Sequence, residues 1–240
     1  MTRVIVTGDW HLDAVTAGVE RSEELTASAW AVARYAIGDP RREVIRTPTV
    51  FLFVGDLTNP DDKRCFRAMA TACQIARALS HHDIPSIWLT GNHDVVEDGY
   101  RSHTLMCLQG IEDCYVVDAP MWITVEGLTI WCLPYTARTH NYNPATVIKG
   151  WDSVPHLVAG HLMIEGIQPG SETQDFARGR DVFLPLEEIT RVAPRARIVN
   201  GHYHQGQKYR GVYVPGSLGR LTVAEAGNNP RFLELDIPPC

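Results

Sequence analysis

Polar side chains of the kinds that bind metal ions or transfer protons follow short strand-like runs along this chain. The five motifs that contain them are Gly8-Asp9-Trp10-His11, Gly55-Asp56, Gly91-Asn92-His93-Asp94, Gly160-His161 and Gly201-His202-Tyr203-His204. Four motifs follow a clearly hydrophobic run, and the fifth follows the mixed but strand-like residues 196–199. Because side chains at the ends of successive strands converge on one edge of a sheet, this pattern predicts a polar site at that edge.

The residue types predict a pair of divalent metal ions. Asp9 and His11 are two residues apart, so on a continuing strand both would point to the same face. Asp56 could bridge two ions with its two carboxylate oxygens. The predicted ligands are Asp9, His11, Asp56, Asn92, His161, His202 and His204. Oxygen and imidazole donors without thiolates favour Mn²⁺, with Fe or Zn²⁺ as alternatives, over Mg²⁺ or a structural zinc site.

Two such ions predict hydrolysis of a phosphoester. Held about 3.5–4 Å apart, they would lower the pKa of a shared water, and the hydroxide that bridges them would attack in line. His93 is next to a predicted ligand, and we expect it to act as the general acid that protonates the leaving alkoxide. Asp94 has two interpretations: it orients an imidazole of the site, or it caps the turn after Gly91.

The strand-like runs alternate first with helical patterns and later with each other. Strand-like residues 4–7, 49–54 and 86–89 are separated by helical patterns over about 20–37 and 63–79, which predicts parallel strands with right-handed crossovers. The later strand-like segments are 115–118, 122–125, 128–133, 156–159, 197–200, 208–214 and 231–236. They suit a second, mixed or antiparallel sheet. We therefore expect an α/β fold in which two mixed sheets form a sandwich flanked by helices, as a single catalytic domain over residues 1–240.

Composition is compatible with one cytoplasmic enzyme domain. The 240 residues are 45% hydrophobic, enough for one substantial core. No apolar run approaches the roughly 20 residues needed to cross a bilayer, and the N-terminus leads directly into a strand, so we expect neither a membrane span nor a signal peptide. The six scattered cysteines are expected to be reduced thiols.

Charge is unevenly distributed along the chain. The net charge of −6 argues weakly against a protein that coats nucleic acid over a broad surface. Residues 176–220, however, contain eight basic and three acidic residues, a local balance of +5 that leaves −11 for the remainder. This stretch could face phosphate groups or could belong to a solvated mixed surface, and the sequence favours neither.

The five motifs, in this order, resemble those of the calcineurin-like metallophosphoesterase superfamily over nearly the whole chain. The ligands that the resemblance implies for one ion are Asp9, His11, Asp56 and His204. Those that it implies for the other ion are Asp56, Asn92, His161 and His202. It also implies that His93 lies near the scissile phosphate.

A narrower resemblance concerns two segments. Residues 8–13 and residues 214–221, which include Pro215-Gly216-Ser217, are similar to the catalytic domain of SbcD-type DNA repair nucleases. This resemblance implies DNA as the substrate and exo- or endonuclease activity. The capping domain and partner-binding helices that usually follow in that branch are not expected here, which argues against an SbcC-type coiled-coil ATPase as partner. A homodimer is left open.

Three functions are compatible with these patterns. The first is a DNA nuclease, the second a phosphatase or phosphodiesterase acting on a small nucleotide, and the third a non-enzymatic scaffold. The scaffold is disfavoured because no ligand position is replaced. The two enzymatic functions share every catalytic residue, so the metal centre does not separate them. Trp10, Tyr135 and Tyr203 could stack on a base in either case, although core packing is the expected role of Trp10.

Overall fold

The computed structural model describes residues 1–38, 47–59, 65–96, 102–136, 143–167 and 182–238. Its strands are β1 (Thr2–Thr7), β2 (Val15–Thr16), β3 (Val19–Glu20), β4 (Thr49–Phe53), β5 (Ser86–Leu89), β6 (Cys114–Val117), β7 (Met121–Val125), β8 (Leu128–Leu133), β9 (Leu157–Gly160), β10 (Arg197–Asn200), β11 (Gln207–Tyr209), β12 (Val212–Val214) and β13 (Leu233–Ile237). Its α-helices are α1 (Ser22–Ile37), α2 (Phe66–His81), α3 (Pro144–Lys149) and α4 (Leu186–Val192). Short 3₁₀ segments cover Thr104–Leu108 and Val223–Glu225.

Two mixed sheets form the centre of the fold. The first has the order β13-β1-β4-β5-β6, and all its neighbours are parallel except β13, which is antiparallel to β1. The second has the order β11-β12-β10-β9-β8-β7, with a parallel centre and an antiparallel strand at each edge. The predicted sandwich of two mixed sheets flanked by helices is therefore confirmed.

The apolar residues divide the molecule into layers. Successive side chains of a strand point to opposite faces, so Val4 and Val6 of β1 pack in the interface between the sheets while Ile5 packs with α1 and α2. A third apolar cluster joins the outer face of the second sheet to α3 and α4, through residues such as Ile148 and Ile189. Strand β4 is buried along its whole length, which explains its unbroken apolar sequence.

Three sequence-based assignments are wrong in detail. Residues 115–118 and 231–236 are predicted to join the second sheet, but β6 and β13 join the first, because apolar patterning alone does not choose a strand's neighbour. Residues 208–214, predicted as one strand, form the hairpin of β11 and β12. Arg210 and Gly211 reverse the chain there with φ angles of 46° and 86°, the conformation of a tight hairpin turn.

The short helices α3 and α4 give too little periodicity to be predicted from apolar spacing. A local signal does exist for α3, because Asn143 accepts a hydrogen bond from the Thr146 backbone N–H and Pro144 occupies the first helical turn.

Helix length and the cysteines are two further features of the fold. Within the part of the chain that the structure describes, no helix combines the length and apolarity needed to span a bilayer. The cysteines with free thiols there are Cys65, Cys73, Cys107, Cys114 and Cys132, and Cys240 lies outside the described residues.

Candidate metal centre

All five motifs meet at one edge of the two sheets. Three of them directly follow β1, β4 and β5, which are parallel neighbours in the first sheet. The other two follow β9 and β10, which are parallel neighbours in the second sheet. Parallel strands place their carboxyl ends at the same edge, so the topology delivers every predicted ligand to one place.

The backbone leaves the strands abruptly at the predicted ligands. Asp9, His11, Asp56 and His202 have φ angles of 50°, 42°, 62° and 78°, in the left-handed region. A non-glycine residue held there costs of order 1–3 kcal/mol, and such residues concentrate at functional sites. The turns direct the side chains across the sheet edge instead of along the strands.

The glycines of the motifs make room for the polar side chains. A Cβ atom on Gly91 would lie 2.1 Å from Asp56 Oδ1, and one on Gly55, whose φ is +99°, would lie 2.3 Å from His161 Nδ1. A larger residue at either position would displace Asp56 or His161. This crowding explains why glycine precedes the polar residue in both motifs.

Asp56 lies at the centre of the cluster. Its Oδ2 atom is 3.3 Å from His161 Nε2, 3.7 Å from His11 Nε2 and 3.9 Å from His93 Nε2. Its Oδ1 atom instead accepts a hydrogen bond of 3.0 Å from the His93 backbone N–H. Oδ2 is therefore the oxygen that faces the imidazoles, and bridging of two ions by both carboxylate oxygens stays a prediction.

The donor atoms form two separate groups and a third that overlaps both. The first group comprises donors of Asp9, His11 and His204, the second comprises donors of Asp56, His161 and His202, and the overlapping group comprises donors of His11, Asp56 and His93. Within each group the donor atoms lie within 4.8 Å of one another. Two ligands that are each about 2.0–2.2 Å from one ion can be no more than about 4.4 Å apart, so each group is close to the spacing that an ion requires.

Asn92 extends the second group with a neutral oxygen. Its Oδ1 atom is 3.1 Å from His161 Nε2 and 2.8 Å from His202 Nδ1. His202 Nε2 faces the sulfur of Met163 at 3.2 Å, so Nδ1 is the ring nitrogen that points into the cluster. The structure thus brings all seven predicted ligands and His93 together, and their roles as metal ligands stay predictions.

The state of His11 fits the binding of a metal ion. Its side chain is 1% exposed, and neither ring nitrogen makes a hydrogen bond within the described ranges. A buried polar atom without a hydrogen bond costs about 1–3 kcal/mol, a cost that a bound cation would remove. Burial lowers the pKa of His11 well below its usual value despite the nearby Asp56 carboxylate, so the ring is neutral, as a metal ligand must be.

His161 is aimed at Asp56 by a backbone carbonyl. Its Nδ1–H donates to the Val54 oxygen at 2.5 Å, which leaves Nε2 facing the cluster. Burial opposes the charged form of this ring, but the Asp56 carboxylate outweighs burial and raises the pKa of His161 to about 9. Histidine binds metals as the neutral imidazole, so a cation and a proton compete for Nε2 of His161.

The pKa values of His202 and Asp56 respond to the same neighbours. Burial and the charge on His161 lower the pKa of His202 to about 3. Burial alone would raise the pKa of Asp56, but the charges of His161 and His93 hold it well below its usual range. Asp56 is therefore an ionised carboxylate, and it supplies the negative charge that two cations at this position would share.

Asp94 caps the turn after Gly91, which is the second of the two roles that the sequence allowed for it. Its Oδ2 atom accepts hydrogen bonds from the backbone N–H groups of Asp56 and Gly91, both at 2.9 Å. Its Oδ1 atom accepts from the Leu57 N–H at 2.9 Å and the Thr104 hydroxyl at 2.7 Å. Burial and the charge of Asp56 raise the pKa of Asp94 to about 6 despite these bonds. Asp94 thus ties the loop that carries Asp56 to the loop that carries Asn92.

Replacing Asp94 with asparagine should lower the free energy of unfolding by about 1–3 kcal/mol, because the amide NH₂ would face hydrogen-bond donors in a buried site. Urea denaturation of the metal-free protein measures this change. Asp236→Asn, on an exposed position of β13, is the matched control and should change stability by no more than about 0.5 kcal/mol. Equal stability of the two variants would contradict the capping role.

Two polar residues of the site were not predicted from the sequence. Asn200 is fully buried, and its side chain bonds both the backbone N–H and the carbonyl of Leu162, next to His161. Its position at the end of an apolar strand is a signal that could have identified it. Glu225 is 2% exposed and accepts a hydrogen bond from His204 Nδ1 at 2.9 Å. It belongs to no local motif.

Of the three aromatic candidates for stacking on a base, Trp10 packs in the core as expected, and the suggestion is wrong for Tyr203. Trp10 is fully buried and packs edge-on against Phe53 and Trp88, with ring centroids 4.8 Å and 5.6 Å away. Tyr203 is 1% exposed, and its hydroxyl oxygen accepts a hydrogen bond from a backbone N–H at 2.7 Å. Tyr135 is half-buried, so it is the one candidate of the three that is accessible.

Two solved structures resemble this chain over most of its length at low sequence identity. No curated protein matches this sequence. The crystal structure of a protein of unknown function, AQ665 from Aquifex aeolicus, is 12% identical over 97% of this chain and 96% of that one, with a TM-score of 0.37. The crystal structure of TT1561 from Thermus thermophilus is 12% identical over 90% of this chain and 72% of that one, with a TM-score of 0.36.

The sequence profile of a family gives a match over most of the chain. The profile of the calcineurin-like phosphoesterases matches residues 2–206, a range that contains all five motifs. The general chemistry that follows is hydrolysis of phosphoester bonds with divalent metal ions, which agrees with the cluster of histidine and aspartate donors. The chain belongs to the calcineurin-like phosphoesterase family.

Proposed function

We propose that this protein is a two-metal phosphodiesterase whose preferred substrate is DNA, with Mn²⁺ as the metal and Fe or Zn²⁺ as alternatives. The observation that carries the proposal is the position of Asp56 Oδ2, within 3.9 Å of imidazole nitrogens from three different motifs. Divalent ions bound there would supply Lewis-acid stabilisation of the phosphate oxygens and lower the pKa of a water.

His93 is the residue that we assign as the proton donor. Of the three imidazoles that face Asp56 Oδ2, it is the most exposed, at 12% against 1% for His11 and 0% for His161. It can therefore approach the leaving oxygen of a substrate at the mouth of the cluster. The bond from its backbone N–H to Asp56 Oδ1 keeps it at that edge, so a proton on its ring would reach the developing alkoxide.

Only some of the basic residues in the stretch 176–220 are placed where they could support DNA binding near the metal cluster. Arg195 and Arg197 lie at the start of β10, and Arg210 lies at the turn before β12, so all three are at the edge opposite to the metal cluster. Arg220 is exposed and follows the end of β12 at the cluster's own edge. Arg178 and Arg180 lie outside the described residues.

Arg220→Glu should raise the KM for duplex DNA several-fold and reduce the slope of log affinity against log salt by about 1, because each neutralised phosphate contributes about 0.9 to that slope. Fluorescence anisotropy with labelled DNA at several salt concentrations measures the slope. Arg195→Glu, the same change at the opposite edge, should leave both quantities near the wild-type values. Hydrolysis of a small chromogenic diester should change in neither variant. Equal effects of the two substitutions on DNA binding would contradict the placement of DNA at this edge.

The substrate class is tested by comparing four substrates side by side. The Mn²⁺-loaded protein is assayed on single-stranded DNA, duplex DNA, cyclic nucleotides and a chromogenic phosphodiester. We expect kcat/KM to be highest for DNA. If cyclic nucleotides or monoesters turn over well under conditions where DNA is not cut, the protein is instead a phosphoesterase of small nucleotides.

A further inference from the structure

A buried carboxylate outside the range matched by the family profile is bonded to a predicted metal ligand. Glu225 lies in the 3₁₀ segment Val223–Glu225, beyond residue 206, where the profile match ends. Its Oε1 atom accepts a hydrogen bond from His204 Nδ1 at 2.9 Å, and the two side chains are 2% and 10% exposed. The pair is therefore shielded from water, which would otherwise compete for the bond.

Glu225 is itself held in place by its own segment. Its Oε2 atom accepts a hydrogen bond of 2.7 Å from the Leu221 backbone N–H, and its Oε1 atom also accepts one of 3.4 Å from the Thr222 hydroxyl. The carboxylate thus has a fixed orientation that does not depend on His204. A carboxylate fixed in this way can set the orientation of the ring that it contacts.

The same C-terminal segment holds the backbone of His204. The Ser217 N–H donates to the His204 carbonyl oxygen at 3.1 Å. Gly216, with a φ of +80°, approaches so closely that a Cβ atom there would lie 2.9 Å from that oxygen and 2.6 Å from the Gly206 nitrogen. The Gly216-Ser217 turn therefore constrains the main chain of His204 while Glu225 constrains its ring.

We propose that Glu225 is a positioning residue that fixes His204 in the Nδ1–H tautomer and so leaves Nε2 as the donor toward the ion shared with Asp9 and His11. An ionised carboxylate only accepts hydrogen bonds, so Nδ1 must carry the hydrogen. The other ring nitrogen then keeps its lone pair for a metal ion. Outer partners of this kind are typically worth about 10–100-fold in metal affinity. The inference rests on the proposed two-metal function, because it takes His204 as a ligand.

The substitution that tests this role is Glu225→Gln. An amide keeps the shape, but its NH₂ group must face either the Leu221 N–H or His204 Nδ1, and in the second case it favours a hydrogen on Nε2. Titration of the metal-free protein with Mn²⁺, followed by electron paramagnetic resonance, should show one ion bound about 10–100-fold more weakly and the other unchanged. Glu112→Gln, an exposed position just before β6 at the opposite edge, is the matched control and should bind both ions normally.

A double substitution separates action through His204 from a general structural effect. In a His204→Ala background, Glu225→Gln should weaken Mn²⁺ binding no further, because residues that act through one contact are not additive. The proposal would be overturned if Glu225→Gln weakened Mn²⁺ binding as much in the His204→Ala background as in the wild type. Normal Mn²⁺ affinity in a folded Glu225→Gln variant would also overturn it.

The tautomer of His204 can also be determined in the wild-type protein, without any substitution. Long-range ¹H–¹⁵N spectra of the metal-free wild-type protein should show the hydrogen of His204 on Nδ1, and a hydrogen on Nε2 instead would contradict the role of Glu225. Metal affinity and tautomer are both measured without substrate. A protein that passes these tests but does not cut DNA would therefore refute the proposed substrate and leave the role of Glu225 intact.

Discussion

Replacing Asp56 with asparagine should remove both metal ions from the protein and lower kcat by at least about 10³-fold, since bound ions contribute several kcal/mol to the transition state and each 1.36 kcal/mol is a factor of ten. Among the residues that the structure describes, Oδ2 of Asp56 is the one carboxylate oxygen that faces His11, His93 and His161 together. The asparagine side chain has the same shape, and its oxygen can still accept the bond from the His93 N–H. The loss would therefore come from the missing negative charge and not from a collapsed loop.

Elemental analysis of the loaded protein measures the result directly. Wild-type protein should contain two ions per chain, and Asp56→Asn close to none. Asp9→Asn is the matched comparison, because Asp9 occurs in one group of donors and Asp56 in two; it should lose one ion selectively. A fully active wild-type enzyme with a single ion per chain, or an Asp56→Asn variant that retains both, would contradict the bridging role.

The sequence was sufficient to predict that the seven candidate ligands and His93 meet at one site, and the reason is topological. Each of the five motifs lies at the carboxyl end of a strand, and the strands that carry them run parallel within each sheet. A local signal, a polar residue after glycine at a strand end, is therefore enough to place Asp9 and His161 at one edge although they are far apart in the chain. The two-sheet architecture was predictable for the same reason, because the apolar runs mark the strands.

Other features depend on contacts that no local pattern encodes. The different surroundings of the two Asp56 oxygens follow from the bond between Oδ1 and the His93 N–H, which is set by the packing of two loops. The contact of Glu225 with His204 joins residues 21 positions apart through a 3₁₀ turn. The dispersal of the basic stretch over both sheet edges follows from the hairpin of β11 and β12, which the sequence presented as one strand. These three features could therefore be recognised only in the three-dimensional structure.

The position of His93 does not by itself distinguish a general acid from a metal ligand. Its donor atom lies close enough to those of His11 and Asp56 to share an ion with them. A general acid and a ligand predict different behaviour when the side chain is removed. If His93 is the general acid, His93→Ala should keep both ions, since neither the group of Asp9, His11 and His204 nor the group of Asp56, His161 and His202 includes it. If it is a ligand, the variant should lose metal.

We expect His93→Ala to lower kcat on DNA by about 10²-fold or more, because general acid catalysis contributes about 10²–10⁴-fold when the leaving group is a poor one such as a DNA 3′-oxygen. On a nitrophenyl diester the loss should be much smaller, because nitrophenolate leaves without a proton. Stopped assays on both substrates, with elemental analysis of the same preparations, measure the two losses and the metal content together. Equal losses on both substrates with full metal content would remove the assignment of His93 as proton donor. Unequal losses with both ions retained would show that the 12% exposed ring beside Asp56 acts on the leaving group and not on the metals.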